Sequence, residues 1–232
     1  GRLIMAATKA DDGLYFLPLG GANEIGMNLN LYGYRDQWLM VDLGTSFADD
    51  TAPGVDMIVP DVTWIAERKD KLLGLVLTHA HEDHLGAVPY LWPRLGCPIW
   101  CTPFTAAVLR AKLAETDFAR DVPIRVVEPG QEFKPGGIAC RFVHVTHSIP
   151  DANALVLETE FGRVLHTGDW KLDPAPLVGA PTHMAANSDG TLWHCTGGDA
   201  NAYCFISEGS AAAAAIPINP PSSSARTRLP SR

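Results

Sequence analysis

The apolar run LGLVLT, residues 73–78, passes without a break into His79-Ala80-His81-Glu82-Asp83-His84. A β-strand with such an ending is constrained to stop where its C-terminal edge meets a loop, because only there can several side chains converge on one point. His79 and His81 are two residues apart, and Asp83 and His84 follow in the turn, so the four cannot share one helical or strand face. Spread in this way, they suit two ions rather than one. Imidazole nitrogens and carboxylate oxygens are the donors zinc takes in four- or five-coordinate sites, and a catalytic site keeps one position for water.

Other strand ends offer the same chemistry. His147 closes the alternating run IACRFVHVTH (138–147), and Asp169 follows RVLHTG (163–168). A core histidine and a turn-starting aspartate are the ordinary readings of these two residues taken singly. Beside the first cluster, both become candidate ligands, and the two oxygens of Asp169 could serve two cations.

Most of the chain reads as short β-type runs punctuated by Gly and Pro: 14–19, 28–34, 37–43, 73–78, 98–101, 124–128, 138–147, 153–160 and 163–168. Alternation and β-branched or aromatic content make these strands. Helices are predicted over 85–95, with Pro89 in its first turns or at a bend, and over 103–117 with Pro103 at its start. A shorter one is predicted from Asp61 as N-cap through Glu67. Strands with helices between them define a mixed α/β class.

The 232 residues include 47% hydrophobic and 19% charged side chains, enough for a sizeable core. No apolar run approaches the roughly 18 residues that span a bilayer, and no signal peptide is evident, so no membrane partner and a cytoplasmic location are expected. Five irregularly spaced cysteines argue against a disulfide framework, and Cys97 and Cys101 read as small buried hydrophobes rather than ligands. A net charge of -8 excludes binding to nucleic acid through a broad basic surface, but not binding through metal-held phosphate.

The segments LPLGGANEIGMN (17–28), VDLGTSFADDTAPGVDMIVPD (41–61), LTHAHEDHLGAVPYLW (77–92), THSIPDANAL (146–155) and HTGDWKLDPAP (166–176) resemble the metallo-β-lactamase superfamily, and within it the β-CASP ribonucleases of the ribonuclease J type. GGANEIG and HSIPD are far more specific to that family than HxHxDH, which many hydrolases share. The resemblance implies the N-terminal portion of an αβ/βα sandwich, without the β-CASP domain. It implies one metal on His79, His81 and His147, another on Asp83 and His84, and Asp169 as the bridge. Asp83, His84 and Asp169 would stand closest to the chemistry. Asp42 would support the His-rich loop by hydrogen bonding rather than bind metal, and His144 and His166 read as supporting or core histidines. Gly20, Gly21 and Gly26 would let a neighbouring loop turn tightly. The cofactors would be two divalent ions, zinc or manganese, and the partner an RNA, cut endonucleolytically or from the 5′ end by a metal-activated water. Homo-oligomers occur in the family.

The expected layout is a short N-terminal arm (1–13), a partial metallo-β-lactamase-like domain (14–180) and an atypical, partly disordered segment (181–232). That last segment matches nothing expected after residue 180, and it reads as a truncated or frame-shifted end. Its His183 and His194 do not stand in for the family's last metal-binding histidine, so one half of the sandwich is expected to lack its partner sheet and RNA cleavage is expected to be poor. Two competing readings are a small-molecule hydrolase of the same superfamily, such as a thioesterase or lactonase, and a non-catalytic metal-binding remnant.

Overall fold

In the computed structural model, which describes residues 13–182 apart from 23, 49–53, 172, 174 and 180, and the backbone of 203–206 and 227–228, two sheets face each other. The first half of the chain holds β1 (Leu14–Gly20), β2 (Leu29–Tyr34), β3 (Gln37–Val41), β4 (Ser46–Phe47), β5 (Met57–Val59), α1 (Thr63–Ala66), β6 (Leu72–Val76), α2 (Glu82–Leu85) and α3 (Val88–Leu95). The rest holds β7 (Ile99–Cys101), α4 (Pro103–Leu113), β8 (Ile124–Val126), β9 (Glu132–Phe133), β10 (Ala139–His144), β11 (Asn153–Thr159), β12 (Gly162–His166), β13 (Tyr203–Ile206) and β14 (Thr227–Arg228). The expectations for 1–13 and 181–232 fall almost wholly outside the described residues.

The first sheet runs β1-β2-β3-β6-β7-β8. Its first three strands are antiparallel, and β3, β6, β7 and β8 are parallel. Arg35 and Asp36 both have positive φ, 50° and 58°, which is the two-residue turn whose twist matches that of the strands it joins. Parallel neighbours need crossovers, and α2 with α3 links β6 to β7 while α4 links β7 to β8. All four helices place buried residues, among them Ile65, Leu85, Leu91 and Leu109, in one cluster with Leu31, Met40 and Leu75 of the first sheet.

The second sheet, β13-β12-β11-β10-β9, is antiparallel throughout. Tyr32, Leu39, Val76 and Trp100 from the first sheet and Phe142, Leu155, Leu157 and Val164 from the second form one core between the sheets. This corrects the expectation of a sandwich without its partner sheet: residues 132–166 supply that sheet themselves.

A single irregularity sets the phase of β6. Trp38 lies opposite Leu72 and Leu39 opposite Gly74, so β6 carries one extra residue at Leu73. Gly74 has φ of 155°, and a Cβ there would stand 2.1 Å from the Trp100 ring. Such a bulge reverses the side-chain alternation beyond it. Leu75 and Leu77 therefore join the helix-side core while Val76 faces the second sheet.

Two predicted helices end differently from expectation. The helix read over 85–95 is broken: α2 stops at Leu85, and α3 begins at Val88 with Pro89 in its first turn. The helix read over 103–117 ends at Leu113, whose carbonyl accepts from both the N–H and the hydroxyl of Thr116, at 2.8 and 2.7 Å. The third predicted helix starts one residue later than expected, as α1 with Val62 rather than Asp61 in the N-cap position and Glu67 as its C-cap, while Asp61 still accepts the N–H of Thr63 at 2.8 Å.

Phe142 is fully buried between the sheets and packs on Phe133 with ring centroids 5.3 Å apart. Phe142→Ala is expected to cost about 3–5 kcal/mol, measured by urea denaturation of both proteins.

Candidate metal centre

The site is built around Asp42, the first residue after β3. Its N–H donates to Val76 O at 2.9 Å, so the backbone is still tied to β6 as it turns. Its φ of 61° is uncommon for a residue with a side chain, a strain of roughly 1–3 kcal/mol that persists only where surrounding contacts demand it. Those contacts are several. The carboxylate accepts the Thr78 N–H at 2.8 Å and the Thr78 hydroxyl at 2.9 Å, and it accepts His84 Nδ1–H at 2.8 Å.

This network selects tautomers. His84 spends its Nδ1 proton on Asp42, which leaves Nε2 to face the site. Thr78 donates its hydroxyl proton to Asp42, so the same oxygen accepts His79 Nδ1–H at 3.0 Å and His79 Nε2 is likewise left free.

The His-rich loop is laced to residues 42–45 through its backbone. Leu43 N–H donates to His84 O at 2.7 Å, Thr45 N–H to Glu82 O at 2.9 Å, and Asn28 N–H to Asp83 O at 3.0 Å. The chains approach so closely that a Cβ on Gly44 would stand 1.6 Å from Asp83 O. In the adjoining loop, Gly21 and Gly26 have φ of 78° and 91°, and a Cβ on Gly20 would lie 2.1 Å from Met27 O, so all three glycines serve the tight path expected of them.

The donors then converge. His79 Nε2 and His147 Nε2 each lie 3.1 Å from His81 Nδ1. Nitrogens at about 2.0–2.1 Å from one tetrahedral zinc would be roughly 3.3 Å apart, so this trio fits an ion with little movement. A second trio, His79, His84 and Asp169, also keeps its donor atoms within 4.8 Å of one another. Asp169 spans the two, with Oδ1 at 3.4 Å from His84 Nε2 and Oδ2 at 3.7 Å from His147 Nε2. Asp83 Oδ2 lies 3.5 Å from His84 Nε2.

Burial and charge prepare these groups. Burial holds His79, His81 and His147 below the ordinary imidazole range, keeping them neutral. Burial opposes ionisation of Asp83 and Asp169 too, but the neighbouring His84 outweighs it and both carboxyls titrate below their usual range. His84 is the exception: burial disfavours its charge, yet Asp42, Asp169 and Asp83 together raise it well above the usual value.

All six predicted ligand positions are therefore brought together, and Asp42 sits beside them as expected. His144 lies at the end of β10 outside both trios. His166 is buried with Nε2 3.9 Å from Asp42 Oδ2. Burial lowers its pKa to about 4, so it is neutral near pH 7. Cys97 and Cys101 are core residues whose thiols burial pushes up to about 12, in keeping with the sequence reading. Sequence reasoning missed Thr78 and Asn28, whose Nδ2 is 3.1 Å from His84 Nε2. Thr78 carried a usable signal, being the last residue of the run 73–78 read as a strand and standing directly before the first histidine.

The chain belongs to the metallo-beta-lactamase superfamily, whose family model matches residues 28–193. Within it, the chain is similar to ribonuclease J. It is 47% identical to that of Sinorhizobium meliloti over 176 residues, which are 74% of this chain and 31% of the relative. It is 35% identical to that of Thermus thermophilus over 192 residues, 78% of this chain and 34% of the relative. It is 40% identical to that of Mycobacterium tuberculosis over 178 residues, 76% of this chain and 31% of the relative. The chain thus spans about a third of the length of these curated relatives. The metallo-beta-lactamase fold protein YhfI from Bacillus subtilis shares the fold, with a TM-score of 0.50 and 19% identity over 67% of this chain and 62% of that one.

Two substitutions probe the scaffold. Asp42→Ala is expected to lower zinc affinity roughly ten- to hundredfold, since partners that orient metal-binding histidines carry that much of the affinity. Gly44→Ala is expected to abolish zinc binding, because the Asp83 backbone must move. Competition with a chromogenic chelator reads both.

Proposed function

We propose that this chain carries the catalytic metal centre of a ribonuclease J-type enzyme, a metal-dependent phosphodiesterase acting on RNA in the cytoplasm. The bridging placement of Asp169, one oxygen toward each histidine group, is the observation that carries the reading. His79, His81 and His147 would hold one divalent ion, Asp83 and His84 the other, and Asp169 both. Such a pair, zinc or manganese, would supply Lewis acidity to a phosphodiester and a water of lowered pKa. The residues supply the rest. Asp42 holds His84, and through Thr78 holds His79, each with Nε2 turned toward the site. Asp83, Asp169 and His147 remain partly exposed, which leaves an approach for substrate on that side.

Both the sequence relatives and the motif residues GGANEIG and HSIPD favour RNA over a small ester or lactam. The purified chain, assayed with zinc or manganese, is expected to cleave 5′-monophosphorylated single-stranded RNA only weakly, and chelation or Asp83→Ala is expected to remove that activity. A circular RNA in the same assay separates internal cutting from 5′-end digestion, because only the former opens a circle. Hydrolysis of a thioester or β-lactam with RNA untouched would falsify the ribonuclease reading and favour a small-molecule hydrolase. Metal analysis is expected to show both ions in the parent and, in Asp169→Ala, loss of the ion on Asp83 and His84 while the His79, His81 and His147 trio keeps its own.

A further inference from the structure

The donors of this site arrive from two different sheets. His79, His81, Asp83 and His84 follow β6 in the first, whereas His147 and Asp169 follow β10 and β12 in the second. Each trio contains one donor from the second sheet, His147 in one and Asp169 in the other. The distance between the strand ends of the two sheets therefore sets the size of both sites. Apolar packing between sheets is strong but not directional, so it does not by itself hold donor atoms to a fraction of an ångström.

Two polar links outside the donors cross the gap at this level among the described residues: a backbone bond from Asn153 N–H, at the start of β11, to Thr78 O at 3.2 Å, and a side-chain link through His166. His166 is the last residue of β12, three residues before Asp169. Its Nδ1 lies 3.0 Å from the Tyr32 hydroxyl on β2 of the first sheet. Its Nε2 faces Asp42 Oδ2 at 3.9 Å, the same oxygen that accepts His84. Tyr32, His166 and Asp42 are all buried, and the tyrosine meets the imidazole edge to face at 82°. A Tyr32 hydroxyl donating to Nδ1 leaves the imidazole proton on Nε2, directed at the carboxylate. At 3.9 Å this is longer than a hydrogen bond, but an N–H dipole aimed at a buried anion acts through a low dielectric.

We infer that Tyr32 and His166 form a positioning pair that registers His147 and Asp169, carried by the second sheet, against Asp42 and the His-rich loop of the first. This rests on the proposed ligand roles of those residues and not on the identity of the substrate. Neither member of the pair belongs to either donor trio.

The test reads zinc affinity by chelator competition, and melting temperature in excess EDTA, for the whole chain and its Tyr32→Phe, His166→Leu and His166→Gln variants. Val164→Ala, buried on the same strand and away from the polar link, is the stability control. Tyr32→Phe and His166→Leu are expected to weaken zinc binding roughly tenfold or more, beyond whatever the control loses at a comparable fall in metal-free melting temperature. His166→Gln, which keeps a side-chain N–H, is expected to recover part of the loss. Variants that bind zinc like the parent, or that lose affinity only in step with the control, overturn the positioning pair while leaving the ligand assignment standing. A parent chain that binds no zinc overturns both.

Discussion

A buried carboxylate is the most costly common group to place in a protein interior, and it is tolerated only when its oxygens are fully engaged. Asp42 meets that condition with one backbone N–H, one hydroxyl and one imidazole, and the requirement propagates outward. Satisfying it draws the end of β6 against the end of β3. It also fixes which nitrogen of His84 and of His79 faces the site, so one interaction determines both a strand junction and the chemistry of two side chains. The backbone ladder between residues 42–45 and 82–84 then holds the loop at the height where the side chains can converge.

The candidate ligands were legible because strand ends announce themselves in sequence. HxHxDH after LGLVLT, His147 after a β-alternation and Asp169 after RVLHTG each combine an apolar run with polar donors at its exit, and the structure places all three exits at one edge. Tyr32 and Asn28 were not legible as neighbours of the site, since each depends on which face of its strand points inward. For β6 that face cannot be read: LLGLVL is apolar at nearly every position, and the bulge at Leu73 and Gly74 reverses its phase partway along. Asp42 was identified by family likeness alone, because an aspartate after QWLMV reads equally well as a turn residue. The helix boundaries failed for local reasons, a break after α2 and the capture of the Leu113 carbonyl by Thr116.

The second sheet shows how a family expectation can mislead when a chain spans only part of its relatives. The likeness suggested that half of the sandwich would want a partner, yet residues 132–166 fold back as antiparallel strands and bury Phe142, Leu155 and Leu157 against the first sheet. The same strands deliver His147 and Asp169. One segment thus supplies both apolar residues to the core between the sheets and one member of each candidate donor trio.

Charge then explains how an acidic chain could attract an anionic substrate. Asp42, Asp83 and Asp169 bring three negative charges to the site, and burial keeps His79, His81 and His147 neutral, with His166 neutral behind Asp42. Without an ion, protonated His84 is the cation these carboxylates share, its pKa raised by Asp42, Asp169 and Asp83. Under the proposed occupancy, two divalent ions would displace that proton and turn the local balance from net negative to a single positive charge. A phosphodiester carries a single negative charge. Complementarity would therefore be confined to the metal-loaded site, while the overall charge of -8 would weaken hold on the rest of the nucleic acid and favour release once the bond is cut.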